Sequence, residues 1–274
     1  MKEFIQKVLS IIPYGVRKQV KNIPLVKQLQ KFILEKYFVG KEFNAVVSAG
    51  PAKGLHFPVK MPQDKLMWLG TFEPDFAETM SQVIKPGFVC YDIGGYKGYF
   101  SGIMALKGSK DVYIFEPMPD NINSINRLIA LNPNLPLHLV KAAVSNHSGK
   151  VSFKMMPDAT MGKLMNSSFQ ETKEHTSEIE VDTVSLDDLI SNQNYPKPDF
   201  MKIDVEGAEE LVLLGAASII TEKRPVLMIE IHSADLGRKC YDILKHLYSS
   251  VKVLETGEQA PSKTLEVCHY LVTK

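Results

Sequence analysis

Cysteine is scarce in this chain. Only Cys90, Cys240 and Cys268 occur in 274 residues, far apart and without C-x-x-C spacing. That speaks against a disulfide framework or a thiolate zinc site and fits a reducing cytoplasm. Long apolar runs are missing too. No stretch approaches the ~20 residues that a membrane-spanning helix needs. No secretory signal is read at the N-terminus, where Lys7 and Pro13 interrupt the apolar residues. Internal repeats and low-complexity tracts are absent, and net charge is only +1. What is left is ordinary globular composition, 45% hydrophobic and 23% charged.

The small net charge conceals an asymmetry. Residues 1–41 hold nine Lys or Arg and two Glu, which leaves 23 basic and 29 acidic residues for the remainder. The division predicts a basic N-terminal arm, residues 1–43, on a mildly acidic body, residues 44–274. Within the arm, Phe4, Ile5, Val8, Leu9 and Ile12 share one helical face. After Pro24, Val26, Leu29, Phe32, Ile33 and Tyr37 recur at helical spacing among lysines. Two uses follow: peripheral contact with an anionic membrane surface, at ~1 kcal/mol per near-surface basic residue, or packing on the core or on a homo-oligomer interface.

Residues 44–80 read as short strands and turns, with a loop at Leu69–Pro74. From Lys85 strands and helices alternate. Strands are predicted over 88–93, 111–115, 137–144, 199–205 and 225–231, and helices over 100–106, 121–131, 208–220 and 236–248. Residues 251–254 and 267–272 form a closing antiparallel pair. This rhythm predicts a doubly wound, Rossmann-like α/β fold: a mostly parallel sheet with helices on both faces. Ligands then sit at the C-terminal strand ends, where strand order reverses.

The loop after the first strand reads Asp92-Ile93-Gly94-Gly95-Tyr96-Lys97-Gly98. Its glycines permit a tight turn and close approach of a ligand. A dinucleotide G-x-G-x-x-G beginning at Gly94 needs glycine at 96 and 99, and both are tyrosine. A nicotinamide-dependent oxidoreductase is therefore disfavoured. The second strand ends at Glu116, where a carboxylate can take both hydroxyls of a ribose. Small residues around Ala143, after the third, leave room for a flat base. The fourth runs Lys202-Ile203-Asp204-Val205-Glu206-Gly207-Ala208-Glu209, three carboxylates at the ligand edge. They suit a general base or a divalent ion held by oxygen ligands, although Glu209 also suits a helix start. The fifth ends Glu230-Ile231-His232. His232 is either a proton acceptor near neutral pH or a structural partner of Asp204 or Glu230. The other histidines show no metal-ligand spacing.

These motifs, in this order over roughly residues 86–235, resemble the FkbM-type methyltransferase family. Gly95 departs from the alanine more common there. The resemblance implies a class I methyltransferase fold, S-adenosyl-L-methionine as cofactor, and a hydroxyl acceptor on a sugar, glycolipid or polyketide. On that reading Asp92, Gly94, Gly95, Gly98, Glu116 and Ala143 bind the cofactor. Asp204 or His232, with Glu206 and Glu230 near, deprotonates the acceptor. The alternatives are a non-catalytic cofactor-binding module and, disfavoured by the lack of an Asn/Asp-Pro-Pro-Tyr-like motif, a nucleic-acid methyltransferase. The long polar stretch Ser152–Glu180 is expected to form a hairpin and a lid over the acceptor.

Overall fold

The structure, a computed structural model, describes residues 40–155, 162–164 and 177–274. Of the expected helical arm, residues 1–43, only residues 40–43 are among the described residues. Glu42–Val46 (β1) and His56–Lys60 (β2) form an antiparallel hairpin. Two helices follow where the sequence suggests only strands and turns: Lys65–Leu69 (α1) and Pro74–Val83 (α2). Pro74 occupies the first turn, where its missing N–H leaves no gap, and Phe76, Ala77 and Met80 are buried. The expected loop stands between them. Gly70 ends α1 in the left-handed region at φ 72°.

The chain then alternates as expected. Val89–Ile93 (β3), Tyr99–Leu106 (α3), Asp111–Phe115 (β4), Pro119–Leu131 (α4) and Leu137–Val140 (β5) come first. The strand predicted over 137–144 is broken here. After β5, Ala143–Val144 (β6) enters a second sheet with Gly149–Met155 (β7), Gly162–Leu164 (β8) and Ser177–Val184 (β9), in the order β6-β9-β7-β8. The hairpin expected in Ser152–Glu180 is thus present as β7 and β8. The proposed lid, 156–161 and 165–176, lies outside the described residues.

Leu186–Gln193 (α5) is a helix the sequence pattern did not flag, capped by Ser185 Oγ, which accepts from the Asp188 N–H. Phe200–Ile203 (β10) follows. The helix predicted over 208–220 is two helices, Glu209–Leu214 (α6) and Ala217–Glu222 (α7). The break sits at Gly215, where a Cβ would lie 2.0 Å from the Ser145 carbonyl oxygen. Val226–Ile231 (β11), Ala234–Leu244 (α8), Ser250–Val253 (β12) and Cys268–Thr273 (β13) complete the chain.

The main sheet has the order β12-β13-β11-β10-β3-β4-β5. Its strands pair in parallel except β13, which is antiparallel to β11 and β12. This is the class I methyltransferase arrangement of a Rossmann-like fold. Strand alternation sorts side chains into two layers. Tyr91, Ile93, Met201, Ile203, Leu227 and Ile229 join the layer beneath α5 to α8. Cys90, Phe200 and Met228 join the layer beneath the hairpin and α1 to α4. Asp92 and Lys202 share the parity of this second layer, directly paired across β3 and β10. Order reverses beside β3, which lies between β10 and β4, so the carboxyl ends of these strands form the switch-point crevice.

Candidate active site

A cavity of about 390 Å³ opens at these strand ends, a size that suits a small-molecule site. Gly94, Gly95, Glu116, Ala143, Asp204, Glu206 and Glu230 line it. Asp92 and Gly98 do not line it. Asp92 is fully buried beneath the loop, accepting from Ser101 Oγ at 2.5 Å and standing 3.4 Å from Lys202 Nζ. From there it supports the loop that borders the cavity.

The loop glycines are demanded first by the protein itself. Gly94 has φ 78°, and a Cβ there would stand 1.8 Å from the Asp204 carbonyl oxygen. At Gly95 a Cβ would come within 2.3 Å of Ile114 Cγ2. The loop is anchored from below by Lys97, whose buried ammonium bonds Asp64 at 2.6 Å. Asp64 in turn accepts the Lys60 N–H at 2.7 Å. The glycine loop is thereby tied to the segment leading into α1.

Glu116 is buried, and each of its oxygens takes one backbone N–H: Oε2 from Tyr96 at 2.8 Å, Oε1 from Met118 at 2.9 Å. Burial pushes its carboxyl up to about 7, against the lowering pull of these bonds and of Asn121. With Asn121 as a third donor, the carboxylate keeps acceptor capacity for a further one.

At the opposite side stands a charged group. Lys202 Nζ donates to the Gly94 carbonyl at 2.9 Å and to Asp204 Oδ2 at 3.1 Å. Burial opposes its charge, but Asp204 and Asp92 outweigh that and hold it above the ordinary lysine range. For Asp204, burial is outweighed by Lys202 and then His232, which keep the carboxyl below its ordinary value. Glu230 goes the other way, up to about 8, through burial and the neighbouring Asp204 charge. Glu206 sits at φ 55° and brings its carboxylate within 3.5 Å of His232 Nε2.

His232 lies behind this wall. Its Nδ1 is 2.8 Å from Glu209 Oε1, and its Nε2 stands 3.9 Å from Asp204 and 3.7 Å from Glu230. Burial lowers its affinity for a proton, but the Glu209 hydrogen bond and charge prevail and raise it to about 9. At neutral pH it is therefore an imidazolium, poorly suited to accept a proton. Glu209, fully buried, both opens α6 and fixes this ring. Sequence reasoning gave no role to Glu73 or His269, which also stand close to Glu230.

The Methyltransferase FkbM domain family model matches residues 92–255. Hexuronic acid methyltransferase AglP of Haloferax volcanii is 28% identical over 161 residues, 59% of this chain and 63% of that protein. The 2-O-methyltransferase NoeI of Sinorhizobium fredii is 26% identical over 166 residues, 54% of this chain and 65% of that protein. The match thus spans less than two thirds of the length of these curated relatives. Among solved structures, Methyltransferase FkbM from Methylobacillus flagellatus KT gives a TM-score of 0.45 at 18% identity, over 71% of this chain and 50% of that one.

Proposed function

The chain belongs to the FkbM methyltransferase domain family, and from that premise we propose that it moves a methyl group from S-adenosyl-L-methionine to a hydroxyl of a sugar or glycolipid. The observation that carries this reading is Glu116, a buried carboxylate on the cavity wall with unused acceptor capacity. Such a group fits a ribose diol. The cofactor brings an activated methyl on a sulfonium, and with it the difficult part of the chemistry. The protein's task is alignment and proton removal.

Glu116 binds the ribose hydroxyls. Gly94 and Gly95 border the space for the methionine part, held in shape by Lys202 under the Gly94 carbonyl. Ala143 flanks the base. Asp204 accepts the acceptor's proton as the hydroxyl oxygen attacks. Lys202 keeps that carboxylate ionised and oriented. His232, charged and pinned by Glu209, balances the carboxylates Asp204 and Glu206. The names of two relatives, a hexuronic acid methyltransferase and a 2-O-methyltransferase, support a sugar hydroxyl as acceptor. Among the described residues no helix is long and apolar enough to cross a membrane. We place the enzyme in the cytoplasm, where the basic arm, residues 1–43, would meet an anionic membrane surface carrying the acceptor.

Calorimetric titration with S-adenosylhomocysteine tests the reading. The wild-type chain should bind it, and Glu116→Ala should not. Absence of binding to the wild type, or binding of NAD in its place, refutes the proposal. Binding without turnover on any sugar acceptor would leave a non-catalytic cofactor-binding module.

A further inference from the structure

Glu230 and His269 face each other across the β11–β13 ladder, and His269 Nε2 stands 3.8 Å from Glu230 Oε2. The other ring nitrogen, Nδ1, is held by Glu255 Oε1 at 2.5 Å. Both Glu255 oxygens also accept the His269 backbone N–H, at 3.0 and 3.1 Å. Phe76 packs on the ring at 4.7 Å between centroids. The inner nitrogen, Nε2, is buried and has no hydrogen-bond partner. Glu73 approaches from the loop before α2, in a left-handed conformation at φ 39°. One ligand atom each from Glu73, Glu230 and His269 lies within 4.8 Å of the others.

From this geometry we infer that Glu73, Glu230 and His269 form a divalent-metal site in the wall of the cavity. The imidazole is oriented as a metal ligand is, with its outer nitrogen fixed by a carboxylate and its inner one presented to the site. Among the described residues no Lys or Arg forms an ion pair with Glu73 or Glu230, and the ion-pair partners of Glu230 are His232 and His269. The geometry is close to what an ion needs. Three evenly spread ligand atoms bound at about 2.0–2.2 Å stand at most about 3.8 Å apart; His269 Nε2 and Glu230 Oε2 already stand at 3.8 Å, and closure by up to about 1 Å brings in Glu73. Two carboxylates and one imidazole suit manganese, iron or zinc.

A neighbouring trio, Asp204, Glu230 and His232, also lies within 4.8 Å. There the Lys202 ammonium already stands 3.1 Å from Asp204 and supplies the positive charge. Glu73 and Glu230 both line the cavity, so an ion between them keeps open positions toward it. It would hold an acceptor oxygen and make its proton easier to remove. That last step rests on the methyltransferase reading, and the metal site itself does not.

The test is calorimetry on the chelator-treated full chain with MnCl₂ and with ZnCl₂, followed by S-adenosylhomocysteine on the same samples. One ion per chain is expected. Glu73→Gln and His269→Ala should weaken it at least roughly tenfold, and Glu255→Gln, which frees the ring, by roughly 10–100-fold. Asp204→Asn should leave it near the wild-type value. An unchanged far-ultraviolet circular dichroism spectrum identifies the folded variants. Saturable binding of neither metal, or binding kept in folded His269→Ala and lost in Asp204→Asn, overturns the inference. Metal binding without S-adenosylhomocysteine binding would retain the metal site and retire the methyltransferase reading.

Discussion

At Glu116 burial and hydrogen bonding pull in opposite directions, and burial prevails, raising the carboxyl from 4.5 to about 7. The folded chain therefore keeps a proton that the unfolded chain has released. Between those two values the folded state binds more protons, so this group's contribution to stability falls as pH rises from about 4.5 to about 7. A ribose diol favours the ionised form, whose population grows roughly tenfold from pH 6 to pH 8 for such a group. S-adenosylhomocysteine should accordingly bind about tenfold tighter at pH 8, and Glu116→Gln should flatten the trend. A slope that persists in Glu116→Gln would show that another group is responsible. At Asp204 the expected readout is different. Asp204→Asn should lower turnover on a sugar acceptor by about 10²–10⁴-fold while S-adenosylhomocysteine affinity stays close to wild type. Equal losses in both would assign Asp204 to cofactor binding. Glu116, Asp204 and Glu230 were legible from the sequence because a carboxylate at a parallel strand end has few other uses. The charge on His232 was not, because it depends on Glu209, at the start of α6, meeting the residue that follows β11.

The break between α6 and α7 shows what a pattern along one element cannot reveal. Residues 208–220 read as one helix. The interruption is made from outside: the Gly215 carbonyl accepts the Asp187 N–H and the Ser185 hydroxyl, and the Ser145 carbonyl stands where a Cβ on Gly215 would lie. Gly215→Ala should therefore cost about 1–3 kcal/mol, the range for overpacking a closed interior, seen as a lower urea midpoint. An unchanged midpoint would mean that the Ser145 loop yields freely. The same limit explains the split of the predicted 137–144 strand. Its second half pairs with β9 rather than extending β5, a choice made by a partner some 40 residues away. The parallel strands were legible because burial on both faces makes them continuous apolar runs. Glu73 and His269 escaped notice because their meeting with Glu230 depends on the β11–β13 register and on a loop from the other end of the chain.

Across the whole molecule, the described residues before β3 are not an appendage. Leu55 is fully buried and packs so closely on α3 that a Cβ on Gly102 would lie 2.4 Å from its Cδ2. Phe57 and Phe72 meet Tyr99 edge-on, at 6.0 and 5.8 Å between centroids. The buried Asp64–Lys97 pair joins the same segment to the glycine loop. Losing one partner of such a pair leaves an uncompensated charge at about 3–5 kcal/mol. Residues 40–84 and the main sheet should therefore unfold together. The chain offers a direct probe, because its single tryptophan, Trp68, is buried in this segment against Phe43. Tryptophan fluorescence and far-ultraviolet circular dichroism should give one coincident urea transition. Leu55→Ala should shift both curves together, by about 2–5 kcal/mol. If fluorescence changes first, the segment is a separate unit. The glycine loop would then lose its Asp64 anchor before the sheet melts, and cofactor binding would fail at that earlier midpoint.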